Sequence, residues 1–426
     1  MDGPRRGPGA GTPALTRRAT GRTVDRAGRF LPGAPRAGRE ATIKPILVAL
    51  SGLLASGCSL FPATTAIDPR RVDALFADSL FAAPAEPVRA DDLFALSQPM
   101  REFATTRIVQ KMGDRGQYAG LFEALRDELH LDYDSARTRP AAETFAARSG
   151  NCLSLVILAA AYAKEFGIRF GYQDIRTDGA WSRSADIAFY SGHVNLLLGH
   201  RWHDDWRLPE RSLIIDFLAP GAAGRLVTHG ITEDTVVAMY LNNRAAETLL
   251  EGDLDGAYWW ARAAVVADPS FTGAYNTLAV IYRRHGNLAE AERTLRWALT
   301  REPVNPRTLS NLAVVLESQG RRTEADAVRA RLASIEPYPP FHFLDAGLAA
   351  SARGDHDAAI ALFRRELQRM PYADELHFAI AVAELDRGRL RHARRHLGLA
   401  LEKSTTRDRR GIYAAKLNYL ESLRTN

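Results

Sequence analysis

The sequence predicts two architectures in one chain: an α+β domain with an antiparallel sheet, followed by an all-α solenoid. Three observations carry this. A run of apolar helix formers, Leu153 to Ala163, opens at Cys152 and stops at Gly167. Three β-rich stretches follow, at 170–175, 192–198 and 212–217. Helices first and consecutive strands after them fit an α+β domain. Beyond them glycine recurs every 34 residues, as expected of stacked helical units.

In chain order, residues 1–39 form a basic leader rich in Gly, Pro, Ala and Arg, without apolar periodicity, and are expected to be disordered. They hold nine arginines against two aspartates. The chain as a whole carries +6, so residues 40–426 sum to −1. A near-neutral body gives no electrostatic case for a nucleic-acid partner. Residues 40–57, with Arg39 and Lys44 as a basic front, hold an apolar stretch too short to span a bilayer, where about 20 residues are needed. That is the pattern of a secretory signal. It ends Leu54-Ala55-Ser56-Gly57-Cys58, which resembles a bacterial lipobox. The resemblance implies cleavage before Cys58, lipidation of that residue and anchorage to a membrane. Ser59 at the next position implies the outer membrane, with the protein facing the periplasm. Residues 58–69 read as a tether.

Residues 70–236 are expected to form the α+β domain. Apolar stripes over 70–130 predict helices. The Cys152 helix is apolar on nearly every face, so it is expected at the centre of the core. Strands follow at 170–175, 192–198 and 212–217, with a polar loop from Arg176 to Ser184 and a charged turn from Arg201 to Glu210.

In the second half, glycines at 252, 286, 320, 354 and 388 keep step with alanines at 257, 291, 325, 359 and 393. Prolines at 269, 303, 337 and 371 keep the same step. So do the small residues Ala245, Ala279, Ala313, Gly347 and Ala381. Each unit is helix, Gly turn, helix, Pro stop. This resembles tetratricopeptide repeats, five of them over 238–405, with a capping helix over 406–426. The resemblance implies a solenoid that binds a protein or peptide.

The chemistry centres on Cys152. Its place on the first turn of a helix favours a thiolate, through free backbone N–H groups and the helix dipole. If Cys58 is acylated, Cys152 is the only thiol left. A thiolate needs a base and a group to orient that base. His193 opens the second strand, and Asp216 lies in an apolar third strand, where a carboxylate needs a partner. Adjacent antiparallel strands can set the two side by side. With Thr144-Phe145, Arg148, Gly150-Asn151-Cys152, Gly192-His193 and Asp216, residues 90–236 resemble the transglutaminase-like, papain-like cysteine-enzyme superfamily. The resemblance implies Cys152 as nucleophile, His193 as general base and Asp216 as orienter. Val194 and Asn195 replace an aromatic that often follows the family's histidine, and Phe217 stands where a small residue or proline is usual. The Cys152 amide fits an oxyanion hole, with Gln173 a candidate second donor.

The pattern implies no cofactor and no metal. His200, His203, Asp204 and Asp205 read as a solvated turn. The expected protein is an envelope lipoprotein with a cysteine acyl-transfer domain, acting as peptidase, amidase or cross-linking enzyme, and a protein-binding solenoid. The alternative is a catalytically idle scaffold for an envelope assembly.

Overall fold

The computed structural model describes residues 67–84, 86–176, 181–184, 187–190, 193–199, 212–217 and 227–422. The signal stretch, Cys58 and most of the tether lie outside them. The first helix, α1 (Pro69–Asp73), is capped by the Asp68 carboxylate and has proline in its first turn. The apolar stripe that follows was expected to continue as helix over 70–130. Among the described residues of 74–97 the chain instead makes one 3-10 turn, Asp78–Leu80, and otherwise leaves the helix. The cause is local and tertiary together. Pro84 and Pro87 lack the N–H that a helix interior needs, and the Ala77 amide is bonded to tyrosine hydroxyls of the solenoid.

Helix resumes with α2 (Gln98–Phe103), a π turn over Ala104–Ile108 and α3 (Val109–Arg115). Gly116, at φ 85°, turns the chain into α4 (Gln117–Glu123), which ends in a second π turn, Ala124–Glu128. A two-residue strand β1 (Asp132–Tyr133), α5 (Ala141–Ala147) and β2 (Ser149–Gly150) lead to α6 (Cys152–Glu165). Residues 152–163 of α6 are all buried. This helix is the centre of the domain, and Gly167 at φ 60° follows its end.

The sheet comprises β3 (Phe170–Arg176), β6 (His193–Leu198), β7 (Leu213–Ile215) and β8 (Val227–Ile231) in the order β7-β6-β3-β8, antiparallel throughout. A separate hairpin joins β4 (Trp181–Ser184) to β5 (Ile187–Tyr190). Three expectations change here. The stretch read as a polar loop contains β4. The third strand stops at Ile215, so Asp216 lies just past its end. Strand β8 was not anticipated, because residues 228–230 are exposed at the sheet edge and lack an apolar alternation.

Five antiparallel helix pairs follow: α7 (Glu233–Leu250) with α8 (Leu254–Ala267), α9 (Thr272–His285) with α10 (Leu288–Arg301), and α11 (Pro306–Ser318) with α12 (Arg322–Ile335). Next come α13 (His342–Ala352) with α14 (His356–Arg369), and α15 (Asp374–Asp386) with α16 (Leu390–Lys403). Helix α17 (Arg407–Ser422) covers the end. The five in-step glycines all sit at φ between 71° and 92°, the left-handed turn that a side chain would strain. The five in-step alanines of the second helices are fully buried where helices cross.

One hydrophobic core runs from Val72 through α6 and on to Ala325, so the α+β domain and the first repeats are packed as one body. Polar contacts join them as well. The Thr138 amide donates to Glu247 on α7 at 2.6 Å. Ser135 donates from its amide to the Thr405 carbonyl at 2.8 Å, just past α16, and from its hydroxyl to Thr405 Oγ1 at 3.0 Å.

Candidate functional site

The start of α6 is built by short-range bonding. Asn151 is its N-cap, and its side-chain oxygen accepts from the Ser154 amide at 2.9 Å. Its side-chain nitrogen donates to the Thr138 hydroxyl at 2.8 Å, and Ser154 Oγ accepts from the Arg139 amide at 2.9 Å. Gly150 has to be glycine: a Cβ there would stand 2.7 Å from Ser154 Cβ. Thr144 is fully buried and back-bonds to Pro140, while Arg148 takes a left-handed turn and bonds the Leu129 carbonyl at 2.8 Å. These neighbours of Cys152 hold the turn that presents it.

Three of the expected residues come together. Strand β6 pairs with β7 through Leu196–Ile215. Extending that register by one places Asp216 opposite Asn195 and diagonal to His193, on the same face. His193 Nε2 and Asp216 Oδ1 are 2.7 Å apart. The Cys152 thiol is in hydrogen-bond contact with the same imidazole. With Nε2 engaged by the carboxylate, Nδ1 is the nitrogen free to face the sulfur. Cys152 is 8% exposed and His193 4% exposed. Burial opposes a charge on His193, but its bonds to Asp216 and Cys152 outweigh burial and raise the imidazole to about 9. At neutral pH the ring is therefore held protonated beside the sulfur.

The sequence reading missed Tyr133. Strand β1 pairs in parallel with β2, Tyr133 against Gly150, immediately before the helix. The Tyr133 hydroxyl is in hydrogen-bond contact with both the amide and the thiol of Cys152. Burial, and then the neighbouring sulfur, push its phenol upward, so it stays a neutral O–H. Nothing in the 18 positions between Tyr133 and Cys152 signals this; a strand pair two residues long sets it. Gln173 faces Asn195 across β3 and β6. Both are buried, and among the described residues Gln173 Oε1 and Asn195 Oδ1 have no hydrogen-bond partner. His200, His203, Asp204 and Asp205 lie outside the described residues. Among the described residues no group of three or more His, Cys, Asp or Glu side chains is arranged to hold a metal ion, and no helix is long and apolar enough to cross a membrane.

A family model for the tetratricopeptide repeat matches residues 276–335, most of α9 through α12. The helical array of the C-terminal region consists of such repeats. Among solved structures, the chain is similar to a thermophilic tetratricopeptide-repeat protein of Thermus thermophilus, at 23% identity and a TM-score of 0.28, covering 42% of this chain and 98% of that one. It is similar to PilF of Pseudomonas aeruginosa at 20% identity and a TM-score of 0.28, covering 46% and 88%. It is also similar to YrrB, a tetratricopeptide-repeat protein with an unusual peptide-binding site, at 19% identity and a TM-score of 0.23, covering 42% and 92%. No curated protein matches the chain.

Proposed function

We propose that this chain is a protein-binding scaffold whose repeats bring a protein or peptide to a thiol acyl-transfer site at Cys152. The repeat match supports the scaffold half. The observation that carries the chemical half is the 2.7 Å contact of His193 with Asp216, with the same ring against the thiol. In this reading the sulfur, its proton on His193, attacks an amide carbonyl. The oxyanion that forms is met by the Cys152 amide and, once its hydroxyl turns to donate, by Tyr133. His193 returns the proton to the leaving amine, and a thioester remains on Cys152. Water then gives hydrolysis and an amine gives a cross-link, each restoring the thiol.

The second reading is a catalytically idle scaffold. One observation favours it: in this structure Tyr133 covers both the amide and the thiol that a substrate would need. Iodoacetamide labelling at pH 6 separates the two. A working site labels Cys152 faster than a model thiol in the folded chain; labelling only after unfolding leaves the scaffold.

The N-terminal pattern supports anchorage through lipidated Cys58 at the outer membrane, facing the periplasm. Cys58→Ala is then expected to release the protein from membranes, and continued membrane association would remove the anchor from this reading.

A further inference from the structure

The solenoid already holds a peptide, which is its own residues 75–82. The segment crosses α8 and α9, and it is recognised largely through its main chain. The Ala77 amide donates to the hydroxyls of Tyr258 and Tyr282, both at 3.0 Å, and Tyr282 donates to the Leu75 carbonyl at 2.9 Å. Five residues on, the Ala82 amide donates to Asp255 at 2.9 Å and its carbonyl accepts from the Trp259 indole at 2.6 Å. Two side chains supply the pattern between these points. Asp78 accepts from Tyr258 at 2.6 Å and from Arg262 Nε at 2.9 Å. Phe81 stacks on Tyr258, with centroids 4.0 Å apart and planes 3° off parallel.

The repeat does not require these residues. At 34-residue steps from Tyr258 stand Glu292, Asp326, Ile360 and Arg394; from Trp259 stand Arg293, Ala327, Ala361 and Arg395. In step with Tyr282 are Thr248, Leu316, Ala350 and Glu384. At these three positions of the repeat an aromatic donor stands only at the α8–α9 junction. Buried phenol and indole groups need hydrogen-bond partners, and the segment provides them. Its contacts do not fill the face: a cavity of about 340 Å³ opens between Pro84, Pro87, Val88 and Trp259, Arg262, Ala263.

We propose that the α8–α9 face is a binding site for segments of the form Asp-x-x-Phe that present the two side chains on a 3-10 turn, as Asp78–Leu80 does, and that residues 75–82 occupy it in cis. A partner protein carrying that pattern enters by displacing them. The occupant's tethering sets the threshold, since an attached ligand acts at a high effective concentration and only a dense or tight partner competes. This deepens the scaffold reading by naming the partner's chemistry, and it is independent of any reaction at Cys152.

The test uses the full chain and a fluorescent peptide of residues 73–84. Replacing the tethered occupant's anchors, Asp78→Ala with Phe81→Ala, is expected to tighten peptide binding by about tenfold or more over the unaltered chain. Adding Arg262→Ala is expected to remove that gain. Binding no tighter than to the unaltered chain, or a gain that survives Arg262→Ala, overturns the proposal. Should the double variant not fold, hydrogen exchange on the unaltered chain decides. Excess peptide is expected to lower protection at the Ala77 and Ala82 amides, and a peptide lacking Asp78 and Phe81 is not. Unchanged protection overturns the proposal. Failure here leaves partner binding on α11 to α16 untouched, so it is distinct from failure of the scaffold reading.

Discussion

Glu247, on the first solenoid helix, accepts the Thr138 amide at 2.6 Å, and the hydroxyl of the same threonine accepts from Asn151, the residue before Cys152. The first repeat is thus two hydrogen bonds from the turn that presents the thiol. Arg244 braces Glu247 from the preceding helical turn at 2.5 Å. Glu247→Ala leaves the buried Thr138 amide without an acceptor, which costs about 1–3 kcal/mol. Glu247→Gln keeps an oxygen in place and is expected to cost well under half of that. Urea denaturation of both variants checks the difference.

Asp216→Asn keeps the shape of the carboxylate and removes its charge. His193 is then expected to fall from about 9. A fall of about one unit leaves the ring charged at pH 6 and removes most of its charge at pH 9, so the pH at which Cys152 labelling by iodoacetamide responds to loss of that charge should move down by about one unit. There is a stability counterpart. A histidine raised from 6.5 to about 9 stabilises the fold fully below pH 6.5, and that contribution is lost as pH rises through 9. His193→Gln should lose this part of the pH dependence, read as denaturation midpoints at pH 6 and pH 9.5.

Tyr133→Phe removes one oxygen and keeps the ring. The Cys152 amide and thiol lose their cover, so alkylation of the thiol is expected to accelerate several-fold, and the amide's lost acceptor is expected to cost about 1–3 kcal/mol in urea denaturation. A rate equal to that of the unaltered chain would show that the hydroxyl does not shield the sulfur.

His377 on α15 and His396 on α16 meet with their Nδ1 atoms 3.2 Å apart. Burial, then the facing His396 and Lys403, lower His377 to about 4. The unfolded chain binds a proton at this residue near pH 6.5 and the folded chain only near 4, so stability falls as pH drops through that interval. The loss is expected to reach a few kcal/mol at most by pH 4. His377→Phe should flatten it, as measured by the denaturant midpoint at pH 7 and pH 4.5.

The repeats were readable because their constraint is periodic: glycine at a left-handed turn and alanine at a helix crossing recur in fixed step, and each recurrence adds to the signal. The Cys152 helix was readable because its burial on every side is written in its composition. His193 and Asp216 were readable through strand patterning and the cost of a lone carboxylate. Tyr133 was not, since a parallel pairing two residues long brings it to Cys152 and leaves no period behind. Residues 74–97 were misjudged for a related reason. Their apolar spacing suits a helix, but the Ala77 and Ala82 amides are taken by Tyr258, Tyr282 and Asp255 from some 170 to 205 positions away, and such long-range competition is invisible to local pattern.

Ser135 and Thr138 lie on one short loop, yet the first bonds Thr405 beyond the last helix pair and the second bonds Glu247 in the first. Both extremities of the array therefore close on a single clasp. Open arrays tolerate gain or loss of units, because each touches only its neighbours. Here the tally is locked: inserting or deleting one 34-residue module would carry Thr405 away from Ser135, so this chain is expected to vary in its loops and to keep its count of five.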